Sequence, residues 1–240
     1  MVEEMNASIV ALETPILVEP PILVEPPILD EPTEPAHTPT THAPTKEVHG
    51  ASILPVMMEP TQGVLYFLLA KERYHPTWPK GSHLWTDFGG GRQNRDLSPE
   101  HIAAREFLEE TLGQVSYFEE DVLPRTTYTD IAVSLQTKRY LFQFTYEHRD
   151  HRFVSFVVQI PWDPEIPERF FKALNVSESV TWDLCYLEKS NLGLFSVPQV
   201  QQAITTKGYL TNNQRCRSIL TKTLAIVLSE LQFHFTNIFQ

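Results

Sequence analysis

The segment Phe88–Gly113, FGGGRQNRDLSPEHIAAREFLEETLG, constrains the fold more than any other stretch of the chain. Three consecutive glycines admit backbone conformations and close approaches that a Cβ forbids. Ser98, Pro99 and Glu100 then spell a helix start: a side-chain acceptor for free N–H groups, a ring with helical φ, and an acid at the positive end of the dipole. The helix is expected over Pro99–Leu112. Advancing about 100° per residue from Arg105 places Glu109, Glu106 and Glu110 at about 40°, 100° and 140°. Ala104, Phe107, Leu108 and Thr111 fall on the opposite side, with Ile102 the exception. One face is therefore expected to pack on a core, while the other carries three carboxylates and a guanidinium.

Three carboxylates so close raise one another's pKa unless a cation neutralises them. Hard oxygen donors in a cluster suit Mg²⁺ or Mn²⁺, and backbone groups of Gly89–Gly91 are free to face the same ion or a phosphate. A divalent ion on carboxylates, with positions open to phosphate oxygens and water, equips a site for phosphoryl hydrolysis. The competing reading is a solvated acidic face balanced by Arg105.

Gly91, the run Arg105-Glu106-Phe107-Leu108-Glu109-Glu110 and Gly113 resemble the Nudix box of the Nudix hydrolase superfamily, G-x5-E-x7-R-E-U-x-E-E-x-G-U, where U is a bulky aliphatic. Leu97 stands at the first glutamate of that pattern with Asp96 beside it, Phe107 replaces an aliphatic, and Leu112 is an additional residue before Gly113. The resemblance implies a Nudix fold, an α+β chain with a mixed β-sheet between helices in an α/β/α sandwich. It implies Glu106, Glu109 and Glu110 as metal ligands, the Gly90 carbonyl completing the coordination, and Arg105 orienting a glutamate through a salt bridge. Mg²⁺, with Mn²⁺ as an alternative, would activate a water to cleave the pyrophosphate of a nucleoside diphosphate linked to another group. Family members draw the general base from the box helix or from a later loop, so Glu106, Glu110 and Glu178, shortly before Trp182, are the candidates. Arg92 is the candidate for a substrate phosphate. The family's substrates include ADP-ribose, dinucleoside polyphosphates, nucleoside triphosphates, capped RNA and diphosphoinositol phosphates. A second function class is a Nudix-like module that senses a nucleotide or docks on a protein. The cost of keeping a carboxylate cluster favours the enzyme, and Leu97 keeps the alternative open.

Outside this segment the pattern is of short strands. Ser52–Met57 and Gly63–Lys71 are expected to be joined by a turn over Glu59–Gly63. Arg139–His148 and Arg152–Ile160 read as a hairpin with aromatic residues on one face, and Val180–Leu187 as a further strand. Ile219, Leu220, Leu224, Val227, Leu228 and Leu231 make the stripe of a C-terminal helix.

The first 50 residues differ in texture: they carry −8 of the formal −11 charge and nine of the 19 prolines. PILVEP at Pro15–Pro20 and Pro21–Pro26 is followed by PILDEP at Pro27–Pro32, a repeat that forbids a continuous helix and favours extended chain. Residues 1–50 are thus expected to be a disordered acidic leader, either a spacer or a docking segment for a protein partner, with the folded domain over 51–240. The body's −3 argues against a broad basic surface for long nucleic acid. Two cysteines, no apolar run of spanning length and an acidic start point to a soluble, cytoplasmic protein with no membrane segment.

Overall fold

The structure, a computed structural model, describes residues 47–118, 127–148, 150–179, 187–211 and 213–234. The leader up to residue 46 and residues 180–186 of the expected Val180–Leu187 strand lie outside them.

β1 (Val48–Met58) is the central strand of a seven-stranded mixed sheet. It pairs antiparallel with β2 (Leu65–Glu72) and with β4 (Phe88–Gly91), and parallel with β6 (His151–Gln159). β3 (Trp85–Thr86) and β7 (Lys189–Ser196) pair with β2, and β5 (Phe142–His148) pairs with β6. Residues of β1 alternate between two apolar clusters, as the pleat requires. Ile53 and Met57 join Leu68, Ala70 and Phe156 on one side; Leu54 and Val56 join Phe67, Leu69 and Val157 on the other. A strand covered on both faces reads as a continuous apolar run, and β1 does so from Ile53 to Met58.

The first cluster is roofed by α1 (Pro99–Glu110), α2 (Tyr128–Gln136) and α3 (Ile166–Ser179). The second is roofed by α4 (Val197–Thr205) and α5 (Ser218–His234). The architecture is therefore the α/β/α sandwich expected from the sequence. A short ladder of β8 (Tyr209–Thr211) and β9 (Gln214–Arg215) precedes α5.

Three details differ from expectation. The first strand begins at Val48, ahead of the expected Ser52, because Val48 pairs with Arg152 and Gly50 with both Gly91 and Phe153. A Cβ at position 50 would lie 2.7 Å from the Phe153 ring, so the glycine is part of the sheet and not of the leader. α1 stops at Glu110, and Leu112 (φ 54°) and Gly113 (φ 63°) turn the chain back, with the Gly113 N–H donating to the Leu108 carbonyl. The additional residue is thus absorbed in the left-handed turn beyond the helix. Finally, α2, α3 and α4 supplement the two helices read from the sequence. α2 starts at a capping box of Thr127 and Asp130, and α3 buries Ile166, Phe170 and Leu174 at four-residue spacing.

The expected hairpin forms, but its first strand starts at Phe142 and not at Arg139, and His151 belongs to the second strand opposite His148, with Asp150 at φ 64° in the turn. Tyr146 stacks on Phe153 across it, centroids 5.4 Å apart and planes 12° from parallel. Among the described residues no helix is long and apolar enough to cross a membrane.

Candidate active site

Arg105 is the hub of the site, its side chain 6% exposed. Nε and Nη2 donate to the two oxygens of Asp96 at 3.1 and 3.0 Å, and Nη2 also reaches the Gly91 carbonyl at 3.0 Å. Nη1 donates to Glu106 at 2.8 Å and to Glu109 at 3.0 Å. Burial opposes the charge on Arg105, but the contacts with Asp96 and Glu106 outweigh it and hold the guanidinium protonated. Burial likewise pushes Asp96 up, and the hydrogen bonds from Arg105 and the Gln93 N–H overcome it, leaving the carboxyl below its ordinary range. Leu97 points away, 80% exposed. Asp96, and not Leu97, therefore holds Arg105 beside the glycine strand.

The acidic face of α1 is buried, in contrast to the expected division into a core side and an open side: Glu106 is 9% exposed, Glu109 7% and Glu110 3%. Buried carboxylates need cations or donors, and each has them. Glu106 has Arg105; Glu109 has Arg105 and, at 2.9 Å, Arg95. Glu110 accepts from Lys189 Nζ at 2.7 Å and from the Gly89 N–H at 2.9 Å. Lys189, itself 3% exposed, also reaches Glu72 at 2.9 Å, and Arg217 approaches the same Glu72 oxygen at 3.3 Å.

Burial raises the pKa of Glu106 against the pull of Arg105, with Glu109 and Glu188 adding repulsion. Glu188 is an exposed residue, and the partial desolvation of its carboxyl still raises the pKa, Lys189 opposing and Glu72 and Glu109 adding. For Lys189 burial disfavours the charge, yet Glu110 and Glu72 outweigh it and the pKa rises. Its partner Glu110 is pushed toward the neutral form by complete burial. With a second carboxylate on Lys189 and a backbone donor on Glu110, the charged pair is the state we assign.

The glycine strand makes this packing possible. A Cβ on Gly90 would lie 2.4 Å from Glu106 Oε1, and one on Gly89 2.3 Å from Ser52 Cβ. The Gly90 carbonyl oxygen lies against Gly50, 2.5 Å from where a Cβ there would sit. A cavity of about 420 Å³ opens along Gly89–Gly91, walled also by Tyr146, Phe153 and Arg217. Arg92 stands at its wall, paired with Glu47 at 2.8 Å. Glu106, Glu109 and Glu110 are not in its lining; Glu109 and Arg105 border a second cavity of about 270 Å³ with Arg95 and Asp96. Trp85 and Phe88 belong to the core, so the aromatic pair facing the first cavity is Tyr146 with Phe153.

Glu178 lies in the last turn of α3, and Trp182 is outside the described residues. Sequence reasoning missed Glu72, Glu188, Lys189 and Arg217. Glu72 and Lys189 are 117 residues apart and meet only through the pairing of β2 with β7, so no local spacing marks them. Asp96, next to the vacant box position, was the one new participant with a local signal.

Mg²⁺ or Mn²⁺ on Glu106, Glu109, Glu110 and the Gly90 carbonyl is the set implied by the resemblance. The oxygens are of suitable hardness, but the arrangement does not fit that ion. Both Glu110 oxygens are engaged by Lys189 and Gly89, and both Glu109 oxygens by arginines. Among the described residues no group of three His, Cys, Asp or Glu side chains is arranged to hold a metal.

No protein-family model matches this chain, and no curated protein matches it. Similar solved structures include a mutT/nudix family protein from Listeria innocua, 16% identical at a TM-score of 0.42, the match covering 80% of this chain and 98% of that one. The NUDIX domain of Shewanella oneidensis NrtR, complexed with ADP ribose, is 13% identical at a TM-score of 0.43, over 80% of this chain and 94% of its own. A C. elegans Ap4A hydrolase is 15% identical at a TM-score of 0.37, over 76% of this chain and 98% of its own. The assignment of the fold rests on the layers and registers described above.

Proposed function

We propose that this chain hydrolyses the pyrophosphate linkage of a nucleoside diphosphate joined to a second group. The observation that supports this reading is the placing of Glu106 and Glu109 together on the Arg105 guanidinium, at 2.8 and 3.0 Å, with an acid from late in the chain, Glu188, whose charge adds to the repulsion on Glu106. That is the kind of late acid sought in Glu178. Glu106 and Glu188 both have pKa values raised by desolvation, toward the pH at which a general base works best. In the reaction the oxygen of a water attacks one phosphorus, and the bond from that phosphorus to the bridging oxygen breaks. The water's proton passes to the Glu106 carboxylate. Arg105 fixes one Glu106 oxygen at 2.8 Å and so orients the group. Arg95, 64% exposed along its side chain, and Arg92 at the cavity wall supply charge for phosphate oxygens.

The test is a hydrolysis panel of ADP-ribose, a dinucleoside polyphosphate, a nucleoside triphosphate, capped RNA and a diphosphoinositol phosphate, with Mg²⁺ or Mn²⁺ supplied and with chelator. Turnover is expected on at least one, and its loss in Glu106→Gln; a folded Glu106→Gln protein with unchanged turnover overturns the assignment. A second reading, a nucleotide-binding module without turnover, is favoured by the closure of Glu110 and by the absence of the α1 carboxylates from the larger cavity. Nucleotide binding with no hydrolysis of any panel member would establish it. A reducing, cytoplasmic setting goes with the buried, free Cys216, whose thiol burial pushes up to about 12.

A further inference from the structure

The side chain that meets Glu110 in the core is a lysine from β7, a strand that pairs with β2. Lys189 opens β7, and its pairing opposite Glu72, at the irregular end of the β2–β7 ladder, carries the ammonium inward. There it contacts Glu72 Oε1 at 2.9 Å and Glu110 Oε1 at 2.7 Å with 3% of its side chain exposed. The second Glu110 oxygen is taken by the Gly89 N–H. A lysine is seldom so deeply buried unless it is paired, and here one ammonium balances two carboxylates from two different elements. Arg217 approaches Glu72 from another direction and stacks on Trp78, 4.5 Å from the ring centroid, so the lysine is hemmed in by a second cation.

From this geometry we infer that Lys189 is the resident cation of the site: its ammonium holds the place on Glu110 that a divalent ion would take, and so excludes that ion from the end of the box helix. A divalent ion brought near Glu110 meets an ammonium already in contact with its intended ligand, with no solvent between them to screen the repulsion. The inference concerns the same site as the proposed hydrolysis, but its readout is ion binding, so either can fail without the other.

The experiment uses the full chain and Mn²⁺ alone, counting free ion by electron paramagnetic resonance. Lys189→Met is expected to gain one Mn²⁺ per chain with affinity about tenfold or more above the parent. Lys189→Arg keeps the ion out, and adding Glu110→Gln to Lys189→Met removes the gained site. A folded Lys189→Met protein, checked by its circular dichroism melt, that binds Mn²⁺ no better than the parent overturns the inference. Should Lys189→Met fail to fold, Glu110→Gln in the otherwise natural chain decides the matter. Unchanged Mn²⁺ binding supports a closed Glu110, and a loss of Mn²⁺ binding shows it to be a ligand and sinks the proposal.

Discussion

Removing the Asp96 carboxylate would leave the Arg105 guanidinium buried with one fewer partner, and breaking a buried ion pair from one side costs about 3–5 kcal/mol. Asp96→Ala is expected to lose stability of that order in urea denaturation. Leu97→Glu, which restores the box residue on a side chain 80% exposed, should stay within about 0.5 kcal/mol of the parent. The pH dependence has a definite sign. Because the folded-state pKa of Asp96 is depressed, its contribution is fully present above the unfolded carboxylate value of about 4 and is lost as pH falls through the folded value. Asp96→Asn should therefore flatten the fall in melting temperature below about pH 4, and an unchanged acid limb would contradict the role given to this residue. At this scale the sequence was readable where spacing is local: Arg105, Glu106 and Glu109 meet as the helix turn dictates. It was unreadable for Lys189, whose position depends on the pairing of two strands distant in the chain.

At the scale of elements, β4 and α1 act as one unit because glycine lets a strand touch carboxylates. Gly90→Ala would drive a methyl to 2.4 Å from Glu106 Oε1, forcing that carboxylate off Arg105 at a cost of about 1–3 kcal/mol, together with loss of any Glu106-dependent turnover. Gly91→Ala meets nothing nearer than the His49 carbonyl at 3.9 Å and should be neutral or stabilising by about 0.5 kcal/mol. Equal melts for the two variants would refute the contact. Elements with strong punctuation were legible from the sequence: α1 with Ser98 and Pro99, β1 and β2 around the Glu59–Gly63 turn, and the stripe of α5. α2 was missed because its apolar periodicity is thin over nine residues and Val133 is 49% exposed. α3 opens among Pro164 and Pro167, which resemble a loop until Ile166, Phe170 and Leu174 are seen to bury one face.

For the whole molecule, the pairing of β1 sets how far the chain can be shortened from its N-terminal side. A chain starting at Glu47 is expected to melt and to bind ligand as the full chain does, whereas one starting at Ala51 loses the pairing of Val48 with Arg152 and of Gly50 with Gly91 and Phe153. The second should melt about 2–4 °C lower, read by differential scanning calorimetry. A fall in activity on removing residues 1–46 would give the PILVEP repeats a part in the site and not only a spacer's or a docking segment's role.

The place of β1 also bears on how the protein comes into being. β1 leaves the ribosome first, and the parallel neighbour that completes its hydrogen bonding follows about a hundred residues later, as the Ser52–Ser155 bond across 103 positions records. Until β6 is synthesised, the nascent chain displays a long, almost wholly apolar strand without that partner. Any pause in translation between β1 and β6 would hold the polypeptide in its most adhesive form, so the risk of aggregation is concentrated in the interval between the synthesis of these two strands.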